Sequence, residues 1–212
     1  MAGFSRSYSV LPPVVKALII TNGIMFLMEM SSGNSLIAGL ALWPWQTNSG
    51  LFVRVGQPHF QIFQLLTYAF LHGSFMHILL NMYALWLFGS RMENTWGSRT
   101  FAVYYFFCVF GADLVQLFVA TLSGGHYPTI GASGGVFGLL LAFGMTYPNE
   151  VLMLVFPPVA LQAKWFVTIY GAIELWAGVT GTEAGVAHFA HLGGMLFGFL
   201  LIIHWRRHPP KF

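Results

Sequence analysis

Six apolar stretches, most of them close to bilayer length, recur along the whole chain of 212 residues. We read helices at about Val14–Met30, Phe75–Phe88, Phe101–Leu122, Ser133–Tyr147, Trp165–Val179 and Val186–Trp205. A span needs about 20 apolar residues, within a range of about 17–25. The second stretch reaches that length if it begins near Ile62, and the fourth is short. The run Val151–Phe156 is too short to cross and is stopped by Pro157 and Pro158, which predicts an interfacial loop. Composition decides which solvent these helices meet. The chain is 57% hydrophobic and only 7% charged, whereas a soluble domain carries about 25% charged residues. The expected fold class is therefore all-α: a polytopic membrane protein, folded as a bundle of six transmembrane helices. One domain over residues 1–212 is expected, with no separate soluble domain.

Six spans put both termini on one side of the bilayer. Arg6, Lys16, Arg91, Arg99, Lys164, Arg206, Arg207 and Lys211 all fall on that side, and only Arg54 falls opposite. Cytoplasmic loops carry the excess of Lys and Arg, so both termini are expected in the cytoplasm. The formal net charge of +3 is thereby explained, and no nucleic-acid partner is needed; the lipid bilayer is the partner. Trp43, Trp45, Trp96, Trp165 and Trp205 fit interfacial belts. Val14–Met30 lacks a small-x-small exit, and its removal would break the charge asymmetry, so it is read as a retained span. The single cysteine, Cys108, excludes an intrachain disulfide.

Ionisable and strongly polar groups are costly inside spans and face the bundle interior or a wet cavity. Here they are His72, His77, Asn81, Asp113, Gln116, Ser133, Glu174, His188 and His191. The second, fourth and sixth helices all run from outside to inside, and His77, Ser133, His188 and His191 fall early in them. That predicts similar depths on helices that can be neighbours. From Ser133 to Tyr147 the helix is roughly 22 Å long, against a hydrocarbon core about 30 Å thick. A helix ending at the cytoplasmic face would then start roughly 8–10 Å below the outer one. The preceding loop, residues 123–132, has to dip into the membrane, where irregular backbone survives only if buried in protein or lining a wet cavity.

A serine hydroxyl is a poor nucleophile until a base takes its proton, and histidine is the usual base. Ser133 with His191 supplies that pair. The Ser133 amide lies at a helix N-terminus, where N–H groups are free, and such donors stabilise an oxyanion. His77 and Asn81, four apart on one helix face, add further donors. No acid is placed by its spacing to orient His191, so a two-residue dyad is expected. Asp113 and Glu174 are read instead as anchors of interhelical hydrogen bonds. His72 and His126 fall at the outer interface or in loops. Gly131, Gly134, Gly135 and Gly138 on the fourth helix, with Gly193, Gly194 and Gly198 on the sixth, allow the close approach that joins serine to histidine.

Gly131-Ala-Ser-Gly-Gly135 resembles the Gly-x-Ser-Gly motif of the rhomboid intramembrane serine proteases. His77-Ile-Leu-Leu-Asn81 is similar to that family's His-x-x-x-Asn on the second helix. Ala190-His191-Leu-Gly-Gly194-Met-Leu-Phe-Gly198 is similar to its Ala-His-x-x-Gly-x-x-x-Gly on the sixth. Glu93 with Gly97-Ser98 resembles the family's cytoplasmic loop. The resemblance covers about residues 60–205 and implies six helices, a Ser133 nucleophile, a His191 general base, and an oxyanion hole of His77, Asn81 and the Ser133 amide. Gly131, Gly134, Phe137, Gly194 and Gly198 would support the site. Two positions depart from the pattern. Phe137 stands where a tyrosine often packs under the histidine; it can stack but has no hydroxyl. Phe63-Gln64 stands where many members carry Trp-Arg. The resemblance implies an endopeptidase that cuts transmembrane segments of other membrane proteins near their outer ends, without cofactor or metal, in the plasma (inner) membrane of a prokaryote. Its substrates are the only protein partners implied, and the oligomeric state is left open.

Three other classes compete. A small transporter would also put ionisable groups mid-membrane. A metal-dependent protease could use His188 and His191 with His77, although the chain has no HExxH. An inactive relative would bind membrane helices without cutting them.

Overall fold

The computed structural model describes residues 8–45, 58–124, 127–153, 158–182 and 187–210. Arg6, Arg54, His126, Lys211 and the expected helix start at Val186 lie outside these residues. The architecture is a helical bundle, as expected. Helix α1 (Pro13–Ser32) is followed by the short α2 (Ser35–Leu40) and α3 (Gln64–Thr67), the last continuing as a 3-10 turn over Tyr68–Phe70. Helix α4 (Phe75–Ala84) runs through a π-helical turn at Leu85–Gly89 into α5 (Ser90–Trp96). Then come α6 (Ser98–Ser123), α7 (Ser133–Thr146), α8 (Ala163–Thr180) and α9 (His188–Arg207). Among the described residues α1, α6 and α9 are long and apolar enough to cross a membrane, and α7 is a shorter apolar helix. Gln64–Phe70 and Phe75–Trp96 add a fourth crossing if the bent pair is one span.

The second span was expected to lengthen backwards toward Ile62. The chain instead bends by 99° between those two segments. Ser74 stops backward growth by capping α4, its hydroxyl accepting the His77 N–H at 3.1 Å. The length is recovered at the other end, where the helix runs on to Trp96. The segment expected as an interfacial loop is partly a hairpin. Strand β1 (Val151–Met153) pairs antiparallel with β2 (Ala160–Gln162), with Val151 opposite Gln162 and Met153 opposite Ala160. Residues 154–157 lie outside the described set.

Helices α6, α7 and α9 form the centre of the bundle, around buried Tyr104, Tyr105, Cys108 and Leu139. The Tyr104 hydroxyl donates to the Gly138 carbonyl at 2.9 Å, tying α6 to α7. Away from this centre, Ile24, Leu80, Phe118, Trp176 and Leu200 point outward and are exposed. A water-soluble surface rarely carries so much apolar area; lipid tails solvate it without penalty.

Glu93, buried at 2% exposure, closes the start of α1 from a distance. Its carboxylate accepts the N–H groups of Val14 at 3.0 Å and Val15 at 2.8 Å, and the Ser98 hydroxyl at 2.6 Å. These amides belong to the first turn of a helix and have no partner within it. Glu93→Ala is expected to cost about 1–3 kcal/mol, because it strands buried donors. Thermal unfolding in detergent should show a midpoint lower by several degrees. An unchanged midpoint would mean that water replaces the carboxylate at no cost.

Candidate functional site

The loop before α7 has irregular backbone, and several of its described backbone groups are paired. Thr129 exchanges both backbone hydrogen bonds with Leu42, at 2.9 and 3.0 Å, and the Gly131 N–H donates to the Tyr68 carbonyl at 2.9 Å. Thr129 and Ala132 are buried. Such a loop can sit in a low-dielectric interior. Gly131 takes a φ of 122°, which a side chain would oppose, and the chain then enters α7 with Ser133 as its first residue.

Ser133 is half-buried, and its Oγ lies 2.8 Å from Nε2 of buried His191, on the first turn of α9. The Phe137 ring, one turn along α7, stacks under the imidazole at 4.2 Å with only 6° between planes. The helices can come this close because their contact carries glycines. A Cβ at Gly194 would collide with the carbonyl oxygen of Gly134, and one at Gly198 with the Tyr104 hydroxyl. A Cβ at Gly134 would collide with Ala112 of α6.

His77 lies beside the pair. A Cβ built on Gly131 would sit 2.9 Å from His77 Nε2 and 3.6 Å from Ser133 Oγ, so the imidazole and the hydroxyl flank the same glycine. Asn81 is buried, and its Nδ2 donates to the His77 carbonyl at 2.9 Å. An amide nitrogen carries two hydrogens, so one remains for another acceptor. His72 lies in the non-helical turn before α4, one of the two places expected for it, and is buried there with its ring edge-on to His77 at 5.0 Å. The carboxylate of Glu29, near the end of α1, accepts the His72 N–H at 3.1 Å and fixes this turn. Asp113 and Gln116 are buried on α6.

The expectation that no acid stands beside His191 needs correction, while Glu174 does anchor interhelical hydrogen bonds, as expected. Glu174 of α8 places Oε2 2.9 Å from His191 Nδ1 and 2.7 Å from His188 Nδ1. The spacing along the chain hides this, because the acid stands 17 residues before His191 on the neighbouring helix. A usable signal was present. Glu174 lies six residues before the end of α8, and His191 three after the start of α9. Two antiparallel helices joined by a short link therefore carry them at nearly equal depth. Glu174, His188 and His191 are also the described residues grouped closely enough to hold a metal, their candidate ligand atoms lying within 4.8 Å of one another. The trio weighed from sequence used His77 in place of Glu174. At 2.7 and 2.9 Å the present contacts are hydrogen bonds.

Gln64 stands where many members of the family that the sequence resembles carry a basic residue. It is 1% exposed, and its amide joins four backbone groups. Oε1 accepts from Trp43 and Gln61, at 3.3 and 3.1 Å, while Nε2 donates to Gly39 and His59, at 3.2 and 3.3 Å. An uncharged side chain thus ties Gly39 and Trp43 to His59 and Gln61.

Fold and site together define a polytopic helical membrane protein in which a helix-initiating serine meets a buried histidine. Residues 59–208 match the rhomboid domain. The chain is 31% identical over 153 residues to the mitochondrial presenilin-associated rhomboid-like protein of Mus musculus, covering 66% of this chain and 39% of that one. It is 31% identical over 135 residues to the mitochondrial rhomboid protein 1 of Saccharomyces cerevisiae, covering 62% and 38%. With RHOMBOID-like protein 4 of Arabidopsis thaliana the identity is 33% over 164 residues, covering 74% and 37%. The matches span about two-fifths of the length of these curated relatives. This chain belongs to the rhomboid family and is an integral membrane protein.

Proposed function

We propose that this chain is an intramembrane serine endopeptidase, acting as one membrane domain on transmembrane segments of other membrane proteins near their outer ends. The observation that carries the reading is the 2.8 Å contact between Ser133 Oγ and His191 Nε2. Ser133 passes its proton to Nε2 as Oγ attacks the peptide carbonyl. The tetrahedral oxyanion forms beside the Ser133 amide, His77 and the second N–H of Asn81. His191 then returns the proton to the departing amine, and water hydrolyses the acyl-enzyme by the same route in reverse. Helical backbone is hydrogen-bonded and covered, so the scissile bond has to leave its helix first. Glycine lowers the cost of that step by about 1 kcal/mol relative to alanine, and proline by about 3.

Both termini are assigned to the side that carries Arg91, Lys164 and Arg206, opposite the Ser133 end of α7. Two of the relatives are mitochondrial by name, which runs against the prokaryotic plasma membrane expected from sequence.

The test is labelling with a fluorophosphonate, which phosphonylates an activated serine. Wild type should be labelled and Ser133→Ala should not, with or without a chelator. Labelling that survives Ser133→Ala would exclude this nucleophile. Unlabelled wild type would favour an inactive helix-binding relative or a small transporter. Proteolysis lost to a chelator and restored by zinc would favour a metal held by Glu174, His188 and His191.

A further inference from the structure

We infer that Glu174 is a positioning residue for the hydrolytic pair, and that His188 holds its carboxylate in place. This rests on the endopeptidase reading and extends its dyad to a linked set of four side chains. Stacking on Phe137 fixes the plane of the His191 ring but not its orientation within that plane. A half-turn about Cβ–Cγ exchanges Nε2 with Cε1, leaves the stack intact and turns carbon toward Ser133. The carboxylate at 2.9 Å from Nδ1 removes this ambiguity, because only one of the two orientations presents a nitrogen to it.

The same contact sets the tautomer. His188 Nε2 lies 3.1 Å from the Thr182 carbonyl oxygen, which can only accept, so that nitrogen carries hydrogen. The remaining contact of His188, Nδ1 to Glu174 Oε2, then needs one proton on either atom. A buried net charge is costly, so we take this buried cluster as neutral, and that is then the only proton available between the two groups. Were His191 Nδ1 bare, it would need a second one from the same carboxyl oxygen. His191 is therefore protonated at Nδ1, and Nε2 offers its lone pair to the Ser133 hydroxyl. The result is the same whether His188 or Glu174 holds the shared proton. When His191 takes the serine proton during attack, the shared proton rests on His188 Nδ1, and the carboxylate lies against the new imidazolium. Glu174, His188 and His191 are all buried, so water does not replace these contacts at low cost.

The experiment compares wild type, Glu174→Gln, His188→Gln and the double variant, each reconstituted with a transmembrane substrate. In a soluble triad the corresponding amide swap lowers turnover about 10⁴-fold through the wrong tautomer. Here Phe137 still holds the ring plane, and Glu174→Gln should lower kcat about 100-fold. KM should stay within about twofold, since no substrate contact is removed. Fluorophosphonate labelling of Ser133 should slow in parallel. His188→Gln should lower kcat less, by about tenfold, and add nothing in the Glu174→Gln background, because it acts through the carboxylate. A Glu174→Gln enzyme with unchanged kcat, or one whose loss lies wholly in KM, would overturn the inference. Nitrogen-15 NMR of the histidine rings in wild type reads the tautomer even if the variants misfold. Protonated Nδ1 with bare Nε2 at His191 is the expected result, and the opposite tautomer would overturn it. Wild type that neither cleaves nor is labelled would sink the endopeptidase reading alone, leaving the Glu174 contact to be judged by NMR.

Discussion

Ser133→Ala is expected to remove essentially all cleavage of a reconstituted transmembrane substrate while leaving the fold unchanged, and His191→Ala to do the same. The two side chains act as a unit. Without the hydroxyl there is no nucleophile, and without the imidazole the hydroxyl keeps its proton. In a well-studied soluble serine protease, loss of either member costs about as much as loss of the whole set, roughly 10⁶-fold. The expectation here is a fall of at least about 10⁴-fold, with the double variant no worse than either single one. Ser133→Ala is the cleaner test, because Ser133 is half-buried and its side-chain bond runs to His191. His191→Ala also removes the ring stacked on Phe137 and the partner of Glu174, so its unfolding midpoint should be recorded beside its activity. Residual cleavage above about one-tenth of wild type in correctly folded protein would exclude the dyad as the reacting pair.

The sequence makes the skeleton of this site legible and hides its supports, for a physical reason. Features local to one helix can be read. Ser133 begins α7, and Phe137 stacks one turn later, because helix geometry fixes where position i+4 lies. Bilayer thickness adds one further coordinate, depth, which links His77, Ser133 and His191 across three helices. Rotation about each helix axis has no comparable signal. Whether Glu174 faces lipid or His191 depends on how α8 packs against α9, and composition does not record that. Short irregular elements are hidden too. Helix α2 and the bend before α4 are tied by side-chain bonds to distant backbone, through Gln64 and Glu29. Gln64 stapling Trp43, Gly39 and His59 is one such case, and Glu93 closing α1 is another.

The glycines at the crossing of α7 and α9 make the second large effect. Gly194 lies one turn after His191, and Gly134 follows Ser133 directly, so the distance between helices at this contact sets the distance between the reacting side chains. A Cβ at Gly194 would run into the Gly134 carbonyl oxygen, with the carbonyl carbon at 2.8 Å and Cα at 3.2 Å. All three are backbone atoms of a hydrogen-bonded helix and cannot turn aside. Gly194→Ala must therefore push the helices apart. Overpacking of this kind costs about 1–3 kcal/mol, and a displacement of about 1 Å at a reacting centre can cost about 10²-fold in rate. The expected result is a loss of at least 100-fold in cleavage together with a lower unfolding midpoint. Two other glycines give the scale. Gly171→Ala would meet only the end of the Met195 side chain at 3.2 Å, which can move, so a small effect is expected. Gly23→Ala would meet nothing within 4 Å and should be neutral or stabilising by up to about 1 kcal/mol. If Gly194→Ala cleaves as well as Gly23→Ala, the serine and histidine do not owe their contact to this crossing.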